Sequence, residues 1–208
     1  MIPTSSTLRA TLRAAALVAA SLLLSSPAVL AQSGQVKTET LRSEADGHPI
    51  HISYFPAVPK SGGAENAPVV ILLHGKDGDR LVWEQKGAGK TGKSFALVLQ
   101  DQGYAVVSVD LRKHGQSKIE GEQTMLRPND YRAMLGDLEA VKSFLFKEHQ
   151  DKKLNMNKTA IIAADDMAPV AVTYAQIDWQ KKPYDDAPIT DPAARTPPGR
   201  RRAPAPPA

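Results

Sequence analysis

Three short apolar runs, each ending in polar residues and each followed by helical spacing or a helix cap, predict an α/β fold built on a mostly parallel sheet. The runs are Val69–Leu73, Tyr104–Asp110 and Thr159–Ala163. Four to seven consecutive apolar residues suit a strand covered on both faces, as strands of a parallel sheet are. Strand and helix alternate along the chain, which implies right-handed crossovers and a partial doubly wound sheet.

The elements follow in order. Residues 32–44 alternate weakly between polar and apolar, and Ile50–Phe55 alternates again after Asp46-Gly47-His48-Pro49, so the two segments predict an N-terminal β-hairpin. Residues 57–68 are rich in Pro, Gly and Ala and read as a loop. After the first buried run come Phe95, Leu97, Val98 and Leu99 at helical spacing, with a stop at Gly103. A long helix is predicted from Tyr131, Met134, Leu135, Leu138, Val141, Phe144 and Leu145, with Asn129 or Asp130 as its cap. A last helix is expected from Pro169 to Trp179.

Both ends differ from this body. Residues 1–31 place Arg9 and Arg13 before the apolar run Ala14–Leu24 and close on Val29-Leu30-Ala31, the order of a secretory signal peptide cleaved after Ala31. The run is shorter than the roughly twenty residues that span a bilayer, so no membrane attachment is expected after cleavage. Residues 181–208 are rich in Pro and Arg and cannot bury a core, so they are expected to be a disordered tail. The expected organisation is a leader at 1–31, an α/β domain at 32–180 and a tail at 181–208, on a protein exported to the periplasm or secreted.

Charge and cysteine content exclude several classes. The net charge of +4 arises at the ends, because residues 32–180 hold 18 basic and 19 acidic side chains. No nucleic-acid partner is expected of such a body. The chain has no cysteine, which removes disulfides, thiol nucleophiles and thiolate metal sites. His48 and His51 stand at metal-ligand spacing without a companion, and no metal or cofactor is expected.

The residues that close the strands resemble the α/β-hydrolase superfamily. Leu72-Leu73-His74-Gly75-Lys76 is similar to that family's apolar strand closing in His-Gly, and Asp110-Leu111-Arg112-Lys113-His114-Gly115-Gln116-Ser117 to its Asp-x-Arg-x-x-Gly-x-Ser turn. The resemblance covers about residues 36–179. It implies an oxyanion hole made by backbone N–H groups at Gly75, Lys76 and Asp166, and an ancestral activity on esters or similar carbonyl compounds. It also implies a nucleophile elbow after the third run, where the stretch is Ala163-Ala164-Asp165-Asp166-Met167-Ala168. Asp165 holds the nucleophile position in place of serine, and Met167 holds that of the second small residue.

Carboxylates can act as covalent nucleophiles, and some members of the superfamily use aspartate. The rival reading is a site that has lost its function, and two features favour it. Met167 is expected to keep the tight turn from closing. All five histidines, His48, His51, His74, His114 and His149, precede Asp165, whereas the family's base follows its nucleophile. The domain is therefore expected to be the truncated first half of an α/β-hydrolase sheet without turnover. Two alternatives stand beside this. The third apolar run would form an exposed sheet edge open to self-association in a non-catalytic binding or assembly module. Gly87-Ala88-Gly89-Lys90-Thr91-Gly92-Lys93-Ser94 fits the P-loop pattern, but the polar stretch Leu81–Lys86 stands where that motif needs a buried strand, so a surface loop is expected.

Overall fold

The computed structural model describes residues 35–87 and 92–181. The leader, the middle of the Gly/Lys loop and all but the first residue of the tail lie outside the described residues. Five strands form one mixed sheet: β1 (Lys37–Arg42), β2 (Pro49–Phe55), β3 (Val69–Leu73), β4 (Ala105–Val109) and β5 (Thr159–Ala163), in the order β1-β2-β4-β3-β5. The helices are α1 (Phe95–Asp101), α2 (Pro128–Gln150) and α3 (Ala168–Gln180).

β1 and β2 form the expected hairpin, with Lys37 opposite Tyr54 and Arg42 opposite Pro49. Its turn needs Gly47, whose φ of 75° is cheap only without a Cβ. β2 joins the rest antiparallel to β4, while β4, β3 and β5 run parallel to one another. Every residue of β3 and β4 is buried, because these two strands have neighbours on both edges and helices on both faces. Alternation divides them between two cores. Val69, Ile71 and Leu73 join Val107 and Val109 under α2 and α3, whereas Val70, Leu72 and Val106 pack with Ala96 of α1. Full burial of a Leu such as Leu72 or Leu73 contributes about 1.5–3 kcal/mol.

Two details depart from the sequence reading. α2 starts at Pro128, with Arg127 as its flanking residue, so Asp130 sits in the first turn rather than at the cap; its carboxylate accepts the Arg127 N–H at 2.6 Å. Proline needs no N–H partner at the first helical position, which explains the earlier start. β5 is exposed or half-buried rather than buried like β3, because among the described residues it pairs only with β3. Among the described residues, no helix is long and apolar enough to cross a membrane.

Candidate functional site

β3 and β5 are neighbours in register, with Leu73 opposite Ala163, so their C-terminal ends deliver His74-Gly75-Lys76 and Asp165-Asp166 to one place. Asp165 has φ of 48°, the left-handed region that costs a side-chain-bearing residue free energy. Met167 does not prevent this, contrary to the sequence expectation. Its side chain leaves the turn altogether and lies fully buried in the core beneath α2 and α3, while its N–H closes the turn on the Ala164 carbonyl at 3.1 Å. The turn thus tolerates bulk at this position when that bulk points inward.

The Asp165 carboxylate lies against Gly75, where an added Cβ would come within 2.4 Å of its Oδ2. The Lys76 N–H donates to Asp166 Oδ1 at 2.9 Å, and the Tyr131 hydroxyl of α2 lies 3.4 Å from Asp166 Oδ2. Burial, with the Asp166 carboxylate second, raises the Tyr131 pKa above its ordinary value. Gly75, Lys76, Asp165 and Asp166 border an open cleft of about 530 Å³ that Val82 and Trp83 also line. The structure therefore brings together Gly75, Lys76, Asp165 and Asp166, and adds Tyr131, which lies 35 residues from Asp166 in sequence and carries no local signal of the contact.

The two histidines nearest the cleft brace the backbone. His74 is fully buried, its Nε2 accepts the Leu111 N–H at 3.2 Å, and its Nδ1–H donates to the Gly75 carbonyl at 2.6 Å. Burial is the main reason its pKa falls below 6.5, outweighing the opposing pull of the Gly75 carbonyl. The His114 ring lies 4.7 Å from that of His74, with Nε2 on the Lys76 carbonyl and Nδ1 2.8 Å from the Arg112 carbonyl. His48 and His51 diverge: His48 Nε2 meets the Ser117 carbonyl at 2.7 Å, and His51 Nδ1 meets Thr40 Oγ1 at 3.1 Å. Among the described residues, no three His, Asp or Glu side chains are grouped to hold a metal ion.

The turn after β4 holds His114 in place. Asp110 is fully buried and accepts from the Arg80 N–H at 2.7 Å, from the Arg80 guanidinium and from the Gln116 N–H at 2.9 Å. Gly115 has φ of 48° and no room for a side chain, since a Cβ would lie 2.3 Å from Asp110 Oδ2. Ser117 Oγ donates to the Asp110 carbonyl at 2.7 Å and accepts the His51 N–H at 2.8 Å. Arg112 reaches Asp137 at 2.7 Å and Asp46 at 2.9 Å, tying the turn to α2 and to the hairpin. The Gly/Lys loop is different in kind. A 3₁₀ turn at Arg80–Trp83 stands where a strand would be needed, Ser94 Oγ caps α1 by accepting the Leu97 N–H, and Lys93 pairs with Asp101 at 2.5 Å.

No protein-family model and no curated protein matches the sequence. Solved structures do. A hypothetical protein from Pseudomonas aeruginosa matches 76% of this chain at 16% identity with a TM-score of 0.52, over 49% of its own length. DcsB, solved with a substrate analogue, matches 72% at 15% identity and a TM-score of 0.51, over 44% of its length. A thioesterase domain from the curacin biosynthetic pathway matches 70% at 21% identity and a TM-score of 0.46, over 41% of its length. The chain thus spans less than half of each of these proteins. At such identities the likeness is one of architecture, and it agrees with the mixed sheet and its strand-end turns: the fold is of the α/β-hydrolase type.

Proposed function

We propose that this is an exported protein on an α/β-hydrolase scaffold, descended from enzymes that act on esters or similar carbonyl compounds, and without turnover in the 208 residues given. One observation carries the reading: the Lys76 N–H, one of the three backbone donors that would meet an oxyanion, is already satisfied by the Asp166 carboxylate. An oxyanion forming beside Asp166 would meet a like charge, and two unit charges about 4 Å apart near a protein surface repel by roughly 4 kcal/mol. Each 1.36 kcal/mol of barrier is a factor of ten in rate, so a repulsion of that order removes about three orders of magnitude.

Two further features support it. An ester formed on Asp165 would need water activated by a base. His74 has both ring nitrogens committed to backbone groups, and each ring nitrogen of His114 faces a carbonyl oxygen. The ester ancestry rests on the His74-Gly75 strand end and the Asp110–Ser117 turn. Export rests on the charged start, apolar middle and small-residue ending of residues 1–31.

Hydrolysis of a nitrophenyl ester and of a haloalkane tests the proposal. Rates at the buffer background are expected for the wild type and equally for Asp165→Ser. Turnover in the wild type that Asp165→Asn abolishes would overturn it and make the aspartate a working nucleophile.

A further inference from the structure

Two donors from different elements converge on one carboxylate beyond the end of β5. The Lys76 N–H donates to Asp166 Oδ1 at 2.9 Å, and the Tyr131 hydroxyl of α2 stands 3.4 Å from Oδ2. Burial first, and the Asp166 charge second, raise the Tyr131 pKa above its ordinary value of 10.0, so the phenol keeps its proton at neutral pH and can donate. One donor for each oxygen is an arrangement that suits a carboxylate. A closed turn aims that carboxylate. Asp165 takes a φ of 48° and the Met167 N–H bonds the Ala164 carbonyl, which fixes the backbone of Asp166 and leaves only its side-chain torsions. The adjoining cleft of about 530 Å³ is lined by Val82 and the Trp83 indole as well as by Asp77, Asp165 and Lys76.

We propose that the Lys76 N–H and the Tyr131 hydroxyl form a binding site for an aromatic carboxylate, and that the chain's own Asp166 occupies it as a tethered plug. The proposal rests on the reading that the Lys76 N–H serves this cleft, and it adds a ligand class and an autoinhibitory contact. Charge selects a carboxylate over a dianion such as sulfate. Exchanging one carboxylate for another keeps the balance with Asp77, Asp165 and Lys76, whereas a dianion brings a further negative charge toward two carboxylates. The apolar surface of Val82 and Trp83 selects a flat apolar body behind the carboxylate. A side chain held on a turn competes at or above the roughly millimolar effective concentration of a short flexible tether, so a free carboxylate reaches the native site only weakly. Apparent affinity falls with the fraction of sites that stand open, and removing the plug restores it.

Titration of the full chain with benzoate, followed through the Lys76 amide signal in NMR with labelled lysine, tests it. Asp166→Ala is expected to bind benzoate about tenfold tighter than the wild type or better, with Asp166→Asn, a neutral plug of the same shape, between the two. Asp166 is half-buried, and the asparagine variant carries the comparison if the alanine variant does not fold. Adding Tyr131→Phe to either variant should weaken benzoate severalfold, and neutral benzamide or sulfate should hardly move the Lys76 signal. A Lys76 amide indifferent to benzoate in both Asp166 variants, equal benzoate affinity in those variants and the wild type, or an equal response to benzamide or sulfate would each overturn the proposal. Binding is expected without ester turnover, because removing the plug supplies no base. Turnover of a nitrophenyl ester by the wild type would sink the function proposed above without changing the order of these benzoate affinities, so the two failures are told apart.

Discussion

His74 is fully buried and holds two backbone groups through a neutral ring, so protonation must break one of those bonds and bury a charge. Its pKa is lowered from 6.5, chiefly by burial. Above pH 6.5 the ring is neutral in both folded and unfolded chains and its two hydrogen bonds contribute in full. As the pH falls toward the lowered folded value, the unfolded chain takes up a proton that the fold refuses, and stability declines through that interval. We therefore expect His74→Gln to be less stable than the wild type at neutral pH, with the difference narrowing as the pH drops below 6.5. Denaturant unfolding at a series of pH values measures this, and two parallel curves would refute it. Asp166 makes a related point about single residues. A carboxylate on a backbone N–H makes a strong hydrogen bond, and the same bond leaves that N–H nothing to offer a substrate.

At the scale of elements, the segment most open to misreading is the Gly/Lys loop, whose last two residues have local duties. Ser94 caps the seven-residue helix α1, and loss of such a cap costs about 1 kcal/mol. Lys93 pairs with Asp101, each about half exposed, and pairs of that kind contribute roughly 0–1 kcal/mol. Ser94→Ala should therefore lower stability while Lys93→Ala leaves it nearly unchanged, and neither should alter the calorimetric response to ATP, which should be absent. Micromolar ATP binding lost in Lys93→Ala would restore the nucleotide reading. The strands and the long helix were legible because burial on both faces writes continuous apolar runs and a helix writes a repeat of three to four. Elbow closure was not legible at Met167, because sequence gives a residue's bulk but not its direction. The start of α2 was missed for a related reason: Asp130 is a good cap by type, yet Pro128 begins the helix three residues before such a cap would. The Tyr131 and His114 contacts join segments 35 and 38 residues apart, and no short-range pattern encodes such meetings.

The whole molecule, as proposed, begins its life as an exported precursor. Peptidase specificity for small side chains places the cut after Ala31, so mass spectrometry of the exported form should find Gln32 at its N-terminus. An intact Met1 on protein from the cell envelope would contradict this. The strand order also has a kinetic meaning. β3 sits between β4 and β5, and its partners lie 36 and 90 residues further along, as Val69 with Ala105 and Val69 with Thr159. Loops of that length must be closed before the pairing they permit gives anything back, so proteins dominated by non-local contacts fold in milliseconds to seconds rather than microseconds. Until residue 163 has been made, β3, the most apolar of the described strands, waits with one edge uncovered, and every unfolded moment of the chain exposes that edge again.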